Sequence, residues 1–415
     1  MNNHVTTTQN DPSQHIGLDA VLAAYRQGEE INTQTLYERV RDTTGVARDE
    51  WERKQPIGDS GQEHSLAARK ARWHQQTLRR LGIIERVPGK RGVWRLTTGQ
   101  EQLTAAQPGV HLVAYSTNLG LALWSCNSAF AKLDDPVHLI VSSPPYPLRK
   151  SRAYGNPCAK EFVAFLTEAL DPLIKNLVPG GSIALNLSND IFNAGSPSRS
   201  TYLERVVIAL EDAGLYLMDR LIWSNPSKPP GPIAWASKSR QQLNVGWEPV
   251  LWFTNDPAAC FSDNRRVLEP HTAKHTRLMT QGGTKEDADY CDGAYRRRAG
   301  AFGNQTEGRI PRNVLSIGHA SAEARKTRRL NAEQGLRAHG AMFPLRLAKF
   351  LVEFLSRPGD LPTDPFGGWN TTGLAAELTG RRWISTEKMA EYAAGGATRF
   401  TDRPGFLTSF DLSRA

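Results

Sequence analysis

The chain has 415 residues, 39% of them hydrophobic and 22% charged, a length that allows two or three domains and a composition that excludes wholesale disorder. Lysine and arginine number 51 against 42 acidic residues, a net charge of +9, which favours a polyanionic partner. The four cysteines (Cys126, Cys158, Cys260, Cys291) lack CxxC metal spacing and a secreted disulfide framework, and no apolar stretch or signal peptide points to a membrane, so a soluble protein of the reducing cytoplasm, without a metal, is expected. In chain order, a polar start expected to fray precedes a short helix over Leu18–Tyr25. Thr33 is expected to cap a second helix carrying Leu36, Tyr37 and Val40, and a loop follows around Lys54–Gly61. A longer helix, Leu66–Leu81, sets Leu66, Trp73, Leu78 and Leu81 on one apolar side and ends at Gly82. Ile83–Val87 and Val93–Thr97 read as strands around a tight turn, Pro88–Gly92.

Three helices and a hairpin with a basic tip are the winged-helix order, in which a helix enters the major groove and the wing lies on phosphate. This part resembles the N-terminal winged-helix modules of some restriction-modification proteins. Between His64 and Thr97, nine basic residues stand against Glu85 alone, and Arg69, Arg72, Lys90 and Arg91 are the candidate DNA contacts. Thr98–Gly109 reads as a linker, which places a DNA-binding domain at residues 1–105 and a second domain at 106–415.

The second domain alternates strands and helices. Strands are predicted over Val137–Ser142, Ser182–Leu187, Leu215–Trp223, Pro249–Thr254 and Trp383–Thr386, and helices over Lys160–Leu177, Tyr202–Ala213, Pro344–Leu355 and Thr372–Thr379. Such alternation means an α/β fold, a Rossmann-like, mostly parallel sheet covered by helices. A basic insert interrupts it: Phe261–Gly340 holds 15 basic and 9 acidic residues, including the run Arg296, Arg297 and Arg298 beside Tyr295. Two separate basic surfaces fit a nucleic-acid partner better than solvated faces do.

Two constellations carry chemistry. Ser143-Pro144-Pro145-Tyr146 directly follows the apolar strand Val137–Ser142, where a rigid loop points into the ligand crevice of a parallel sheet. The prolines remove backbone donors, so a hydroxyl and a carbonyl can accept hydrogen bonds from an amine while the tyrosine ring offers a stacking face, as a flipped-out base requires. Asp364-Pro365-Phe366-Gly367-Gly368-Trp369-Asn370-Thr371-Thr372-Gly373 leads from a strand into a helix, with Glu387 ending the next strand. Paired glycines admit a ligand close to the backbone, and a carboxylate there can accept both hydroxyls of a ribose. Neither a phosphate-binding GK[ST] loop nor a GxGxxG fingerprint is present.

Together these segments resemble the S-adenosylmethionine-dependent DNA amino-methyltransferases in the circularly permuted, beta arrangement: catalytic loop first, target-recognition region next, cofactor segment last. Further stretches carry the likeness: Gly180–Asn186 as the strand after the catalytic loop, Leu221–Trp223 with Trp247–Phe253 flanking the base pocket, and Phe343-Pro344-Leu345 before the cofactor loop. The resemblance covers roughly Val110–Phe400 and departs at Trp369, where the family more often carries a small residue. It implies a methyltransferase domain with a target-recognition insert at about 256–338, holding Arg296, Arg297 and Arg298. It also implies catalytic Ser143, Pro144, Pro145 and Tyr146. The cofactor site it implies is Phe343, Pro344, Asp364, Phe366, Gly367, Gly368, Asn370, Thr371, Thr372 and Glu387. S-adenosylmethionine supplies an activated methyl group, so the chain need only orient an amine lone pair. A serine in the first motif position favours cytosine N4 over adenine N6, although both amines present the same two donors. Attack by cysteine on cytosine C5 is not expected, since the Pro157-Cys158 pair lies outside the loop position. Double-stranded DNA is the expected partner, a homodimer and a cognate restriction endonuclease are further candidates, and the bacterial nucleoid is the expected place. A silent fold acting as a DNA-binding regulator and an RNA methyltransferase are the competing readings.

Overall fold

The computed structural model describes residues 16, 18–26, 28–56, 63–80, 84–97, 111–148, 157–226, 233–336, 339 and 342–409. The expected polar start, the end of the third helix at Leu81–Gly82 and the linker Thr98–Gly109 lie outside these residues. The N-terminal part holds α1 (Leu18–Ala23), β1 (Ile31–Asn32), α2 (Thr33–Thr44), α3 (Arg48–Glu52), the pair β2 (Lys54–Pro56) and β3 (Glu63–Ser65), α4 (Leu66–Arg80), and the hairpin β4 (Ile84–Arg86) and β5 (Val93–Leu96). β5 pairs with both β4 and β1, giving a three-stranded sheet beside the helices. The cap of α2 is Asn32, not Thr33: its side chain accepts from the Thr35 amide at 2.9 Å, one residue ahead of the expected position. β2 falls within the loop expected around Lys54–Gly61, and α3 and β3, which flank it, were not foreseen. On α4 the buried face is Ala67, Ala71, His74, Gln75 and Leu78, with Leu66 half-buried. Two polar residues thus share the buried face with the apolar ones, and the Trp73 side chain and Leu81 lie outside what is described.

The second part is built on a ten-stranded sheet. Its elements are β6 (His111–Ser116), β7 (Gly120–Ser125), β8 (Val137–Ser142), α5 (Phe162–Lys175), β9 (Leu177–Asn186), α6 (Tyr202–Asp212), β10 (Tyr216–Ser224), α7 (Ala234–Ser237), β11 (Trp247–Thr254), α8 (Ala273–Thr280), β12 (Ala288–Tyr290) and β13 (Tyr295–Arg297). They continue with β14 (Val314–Ser316), α9 (Ala322–Glu333), α10 (Leu345–Leu355), β15 (Pro362–Asp364), α11 (Thr371–Leu378), β16 (Trp383–Glu387), α12 (Ala390–Ala397) and β17 (Leu407–Thr408). Strand order is β14-β10-β11-β9-β8-β15-β16-β7-β6-β17. The middle five, β9-β8-β15-β16-β7, are all parallel, and β11 and β6 run against them. β8 continues through α5 to β9 on one side, while β15 continues through α11 to β16 on the other, so the chain reverses direction across the sheet between β8 and β15. Ligands bind at such switch points, at the carboxyl ends of the strands.

Amphipathic helices cover the sheet. α10 buries Leu347, Ala348, Leu351, Val352 and Leu355 against a cluster with Leu139, Val141 and Trp252, a helical spacing that makes one apolar face. α5 buries Phe162, Leu166, Leu170 and Leu173 in another. The strands over 137–142, 215–223 and 249–254 fall within a residue or two of expectation. β9 begins at Leu177, five residues early, so Leu177 leaves the expected helix; β6, β7, α9 and α12 were not foreseen. β7 is buried along its whole length, and its run GLALWS has no alternation to mark it.

The N-terminal part is docked, not merely tethered. One apolar cluster runs from Val21, Leu36 and Trp94 through to Phe130, Phe162 and Leu170. At this seam the fully buried His74 of α4 lies 3.5 Å from Asp135, itself 3.7 Å from Arg382, and His74 Nε2 lies 3.2 Å from the Ile16 carbonyl. Burial pushes the His74 imidazole down to about 4, against the raising effect of Asp135.

Candidate active site

The two sequence constellations, more than 200 residues apart, meet at the switch point. Ser142, the last residue of β8, donates to Asp364 Oδ1 at 2.6 Å, and Thr372 at the start of α11 donates to the Val141 carbonyl at 3.1 Å. Asp364 Oδ1 also accepts from the Phe366 amide at 2.9 Å. These bonds lock the carboxyl end of β15 beside that of β8, so both loops open on one cavity of about 660 Å³. Burial raises the Asp364 carboxyl above its ordinary value, and hydrogen bonds from Ser142, Phe366 and Thr372 oppose the rise.

The cavity is lined by Ser143, Pro144, Pro145 and Tyr146 on one side and by Phe343, Asp364, Phe366, Gly367, Gly368, Thr371, Thr372 and Glu387 on the other. Two expected site residues are not in its lining. Asn370 is buried with φ 52° and caps α11, accepting from the Gly373 amide and donating to the Tyr115 hydroxyl at 2.8 Å. Pro344 is the buried N-cap residue of α10, its carbonyl accepting from the Leu347 and Ala348 amides. Both shape the frame and stand behind the wall.

Glu387, at the end of β16, faces the cavity with one oxygen accepting from the Gly368 amide and the other from the Met389 amide, each at 2.8 Å. Burial pushes its carboxyl up to about 7 despite those donors. Gly368 has φ 53°, and a Cβ there would lie 2.8 Å from His339 Nε2, so a side chain would be strained and would displace the imidazole. The unusual Trp369 is 2% exposed and packs with Ala324, Met342, Met389 and Tyr392. Room for its ring comes from α12: a Cβ on Gly395 would lie 2.4 Å from Trp369 Nε1. The indole is accommodated by a glycine on a neighbouring element, and the turn keeps its path.

On the other wall, Ser143 Oγ lies 3.1 Å from the Tyr146 hydroxyl, which donates to Glu248 at 3.1 Å; Asn186 Nδ2 donates to the same Glu248 oxygen at 2.9 Å. Glu248, His339, Met342, Lys388, Tyr392 and Cys126 also line the cavity and were not singled out from the sequence. The signal for Glu248 and Asn186 was present: each is a polar residue at the end of an apolar strand, on the sheet edge where ligands bind. Among the described residues no group of three or more His, Cys, Asp or Glu is placed to hold a metal ion, and no helix is long and apolar enough to cross a membrane. None of the four cysteines forms a disulfide, and Cys158 is exposed.

The basic candidates are distributed differently. Arg69 and Arg72 are exposed on α4, and Lys90 and Arg91 are exposed at the hairpin tip, where Lys90 pairs with Glu30 at 2.6 Å. Arg296, Arg297 and Arg298 lie on and after β13 and are not among the residues that line the cavity. They are not equivalent: Arg296 pairs with Asp289 at 2.7 Å, the Arg297 guanidinium sits 5.6 Å from the Tyr290 ring centre, and Arg298 is exposed.

Residues 137–398 match the DNA methylase family, and residues 18–105 match the Mrr N-terminal domain. The chain is 34% identical over 275 residues to the Type II methyltransferase M.PvuII of Proteus hauseri, covering 65% of this chain and 79% of that one. It is 24% identical over 260 residues to the Type II methyltransferase M.BglII of Bacillus subtilis, covering 62% of each. The solved structure of the PvuII DNA methyltransferase (cytosine-N4-specific) superposes with a TM-score of 0.53 at 29% identity, over 72% of this chain and 92% of that one. With well over half of its length matched and its two diagnostic loops converging on one cavity, the chain belongs to the DNA methylase family, carrying an Mrr N-terminal domain ahead of the catalytic one.

Proposed function

We propose that this DNA methyltransferase transfers a methyl group from S-adenosylmethionine to the exocyclic amine of a flipped-out base, cytosine N4 in preference to adenine N6. The observation that carries the reading is the 2.6 Å bond from Ser142 to Asp364, which puts an amine-binding loop and a nucleoside-binding loop on the same cavity. The cofactor half fits its ligand on this chain's own chemistry. Glu387 is a half-buried acceptor with lone pairs beyond those its two backbone donors use, suited to the hydroxyls of a ribose. Phe343 and Phe366 provide apolar surface, and Gly367 and Gly368 bring backbone to the cavity wall. When bound, S-adenosylmethionine supplies a sulfonium-activated methyl group.

The remaining work falls to the catalytic loop. Ser143 Oγ and the Pro144 carbonyl accept the two amine hydrogens, which favours a pyramidal nitrogen and localises its lone pair. Pro144 and Pro145 contribute no competing N–H, and the Tyr146 ring holds the base by its face. The serine at the first motif position and the kinship with a cytosine-N4-specific enzyme support the choice of base.

The domain reading accompanies this. Residues 1–105 form a winged-helix DNA-binding domain in which Arg69, Arg72, Lys90 and Arg91 meet DNA. The catalytic domain spans 106–415 in the beta arrangement, with target recognition at about 256–338 through Arg296, Arg297 and Arg298. A second copy, a cognate endonuclease and a place in the nucleoid rest on the kinship. Base-resolved mapping of DNA from cells expressing the chain, with radiolabelled transfer in vitro, tests the proposal. N4-methylcytosine at one short site is the expected result. N6-methyladenine would overturn the choice of base, and no transfer to DNA would overturn the reaction.

A further inference from the structure

Glu248 enters the cavity from the start of β11. Its Oε2 is the common acceptor for the Tyr146 hydroxyl and Asn186 Nδ2, and that Nδ2 also reaches the Tyr146 oxygen at 2.5 Å. The protons of this cluster have one consistent arrangement. A carboxylate only accepts and an amide nitrogen only donates; turning the Asn186 amide over would set its oxygen against the carboxylate. The single Tyr146 proton therefore goes to Glu248. Tyr146 keeps that proton, because burial and the neighbouring Glu248 anion both raise its phenol well above the ordinary range. Its oxygen is left to accept, from Asn186 and from Ser143, whose Oγ lies 3.1 Å away. The serine proton is thus directed to Tyr146, and the serine lone pairs remain for a ligand.

We propose that Glu248 is a positioning residue for methyl transfer: by fixing the direction of the hydrogen bonds through Tyr146, it presents Ser143 to the target amine as an acceptor only. The inference rests on the reading of Ser143–Tyr146 as the amine-binding loop. A glutamine at position 248 offers a donor as well as an acceptor. The Tyr146 proton is then free to turn toward Ser143 and the serine proton toward the amine, donor against donor.

The test uses the full chain, a duplex containing its mapped site, single-turnover methyl transfer, and calorimetric affinities for S-adenosylmethionine and DNA on the same preparations. Glu248→Gln should slow transfer about 10- to 100-fold, the range for a lost hydrogen bond to a charged group, with both affinities unchanged. Glu248→Asp, which restores a carboxylate, should recover part of the rate. Tyr146→Phe keeps the ring and removes the relay. The double variant Glu248→Gln, Tyr146→Phe should be no slower than the slower single one, because Glu248 acts through that hydroxyl. A parental rate in Glu248→Gln, a loss confined to cofactor or DNA affinity, or losses that multiply in the double variant would each overturn the proposal. Should Glu248→Gln not fold, a parental rate in Tyr146→Phe has the same force. Ser143→Ala separates the levels: if it transfers at the parental rate, the loop reading itself fails, whereas a slow Ser143→Ala beside a fast Glu248→Gln removes only the role of Glu248.

Discussion

At the carboxyl edge of the central strands, the key polar side chains have fixed partners: Ser142 with Asp364, Glu387 with two amides, Tyr146 with Glu248. On α4 and the β4–β5 hairpin the functional candidates are exposed cations, and of these Lys90 is ion-paired, to Glu30. The first region is preorganised, so losing one atom removes an interaction that water cannot replace. The second works by summed charge over a surface, where each cation contributes little and salt screens it. Single substitutions should therefore act steeply in the cavity and shallowly on the basic faces.

The largest expected effect is at Ser143. Ser143→Ala should lower the single-turnover methyl-transfer rate by roughly 100-fold, the usual scale for one preorganised electrostatic partner, with S-adenosylmethionine affinity unchanged. A parental rate would return the loop to a proline-stiffened turn. Glu387→Ala comes next: leaving ligand hydroxyls unpaired costs about 1 to 3 kcal/mol, read by calorimetry as weaker cofactor binding with DNA binding intact. Since burial holds the Glu387 carboxyl up at about 7, cofactor affinity should fall as pH drops below that value, by up to about tenfold per unit. The variant should lose this dependence. Equal slopes in both proteins would take Glu387 out of the site.

The same contrast explains what could be read from the sequence. Val137–Ser142 and Ser143–Tyr146 are legible because an apolar strand running into a rigid polar turn is local information, as is the run from Asp364 to Gly373. Asn370 carried the right pattern and the wrong role: its left-handed backbone and bond to Tyr115 depend on β6, which is distant in sequence. Glu248 and Asn186 were marked only as polar residues at strand ends; their meeting with Tyr146 depends on β11 pairing beside β9 and on β9 pairing with β8. His74 shows the limit on the other side. A histidine on an amphipathic helix reads as a surface residue until the catalytic domain, through Asp135 and Arg382, covers it.

That seam gives a third test of whether the two regions are separable. The buried His74 is held down at about 4, against about 6.5 for an unperturbed histidine. The unfolded chain therefore binds a proton over this interval that the folded chain refuses, and stability falls as pH drops from about 6.5 toward 4. Glu387, raised in the folded state, acts in the opposite sense as pH falls through about 7. The two nearly offset between pH 6.5 and pH 5, so the parental urea midpoint should stay nearly level over that interval, whereas in His74→Gln it should rise as pH falls. An unchanged profile in the variant would mean that the seam opens without cost and that the N-terminal part is only tethered.

The smallest effect distinguishes neighbours within one basic run. Arg298 is exposed, whereas Arg296 already spends its charge on Asp289 at 2.7 Å and Arg297 lies against Tyr290. A phosphate contact by Arg298 needs no internal pair to break, so Arg298→Ala should reduce the slope of log DNA affinity against log salt by about 0.9, the value for one phosphate. Arg296→Ala should reduce it less, because removing the cation also frees Asp289 to repel the backbone of the DNA. Its loss should appear instead as a weaker affinity with nearly the parental slope. Equal slope changes in the two variants would show that the Arg296–Asp289 pair opens on DNA and that the run acts as one surface. No change in either would place the hairpin outside the DNA interface and leave the N-terminal cations to supply the charge.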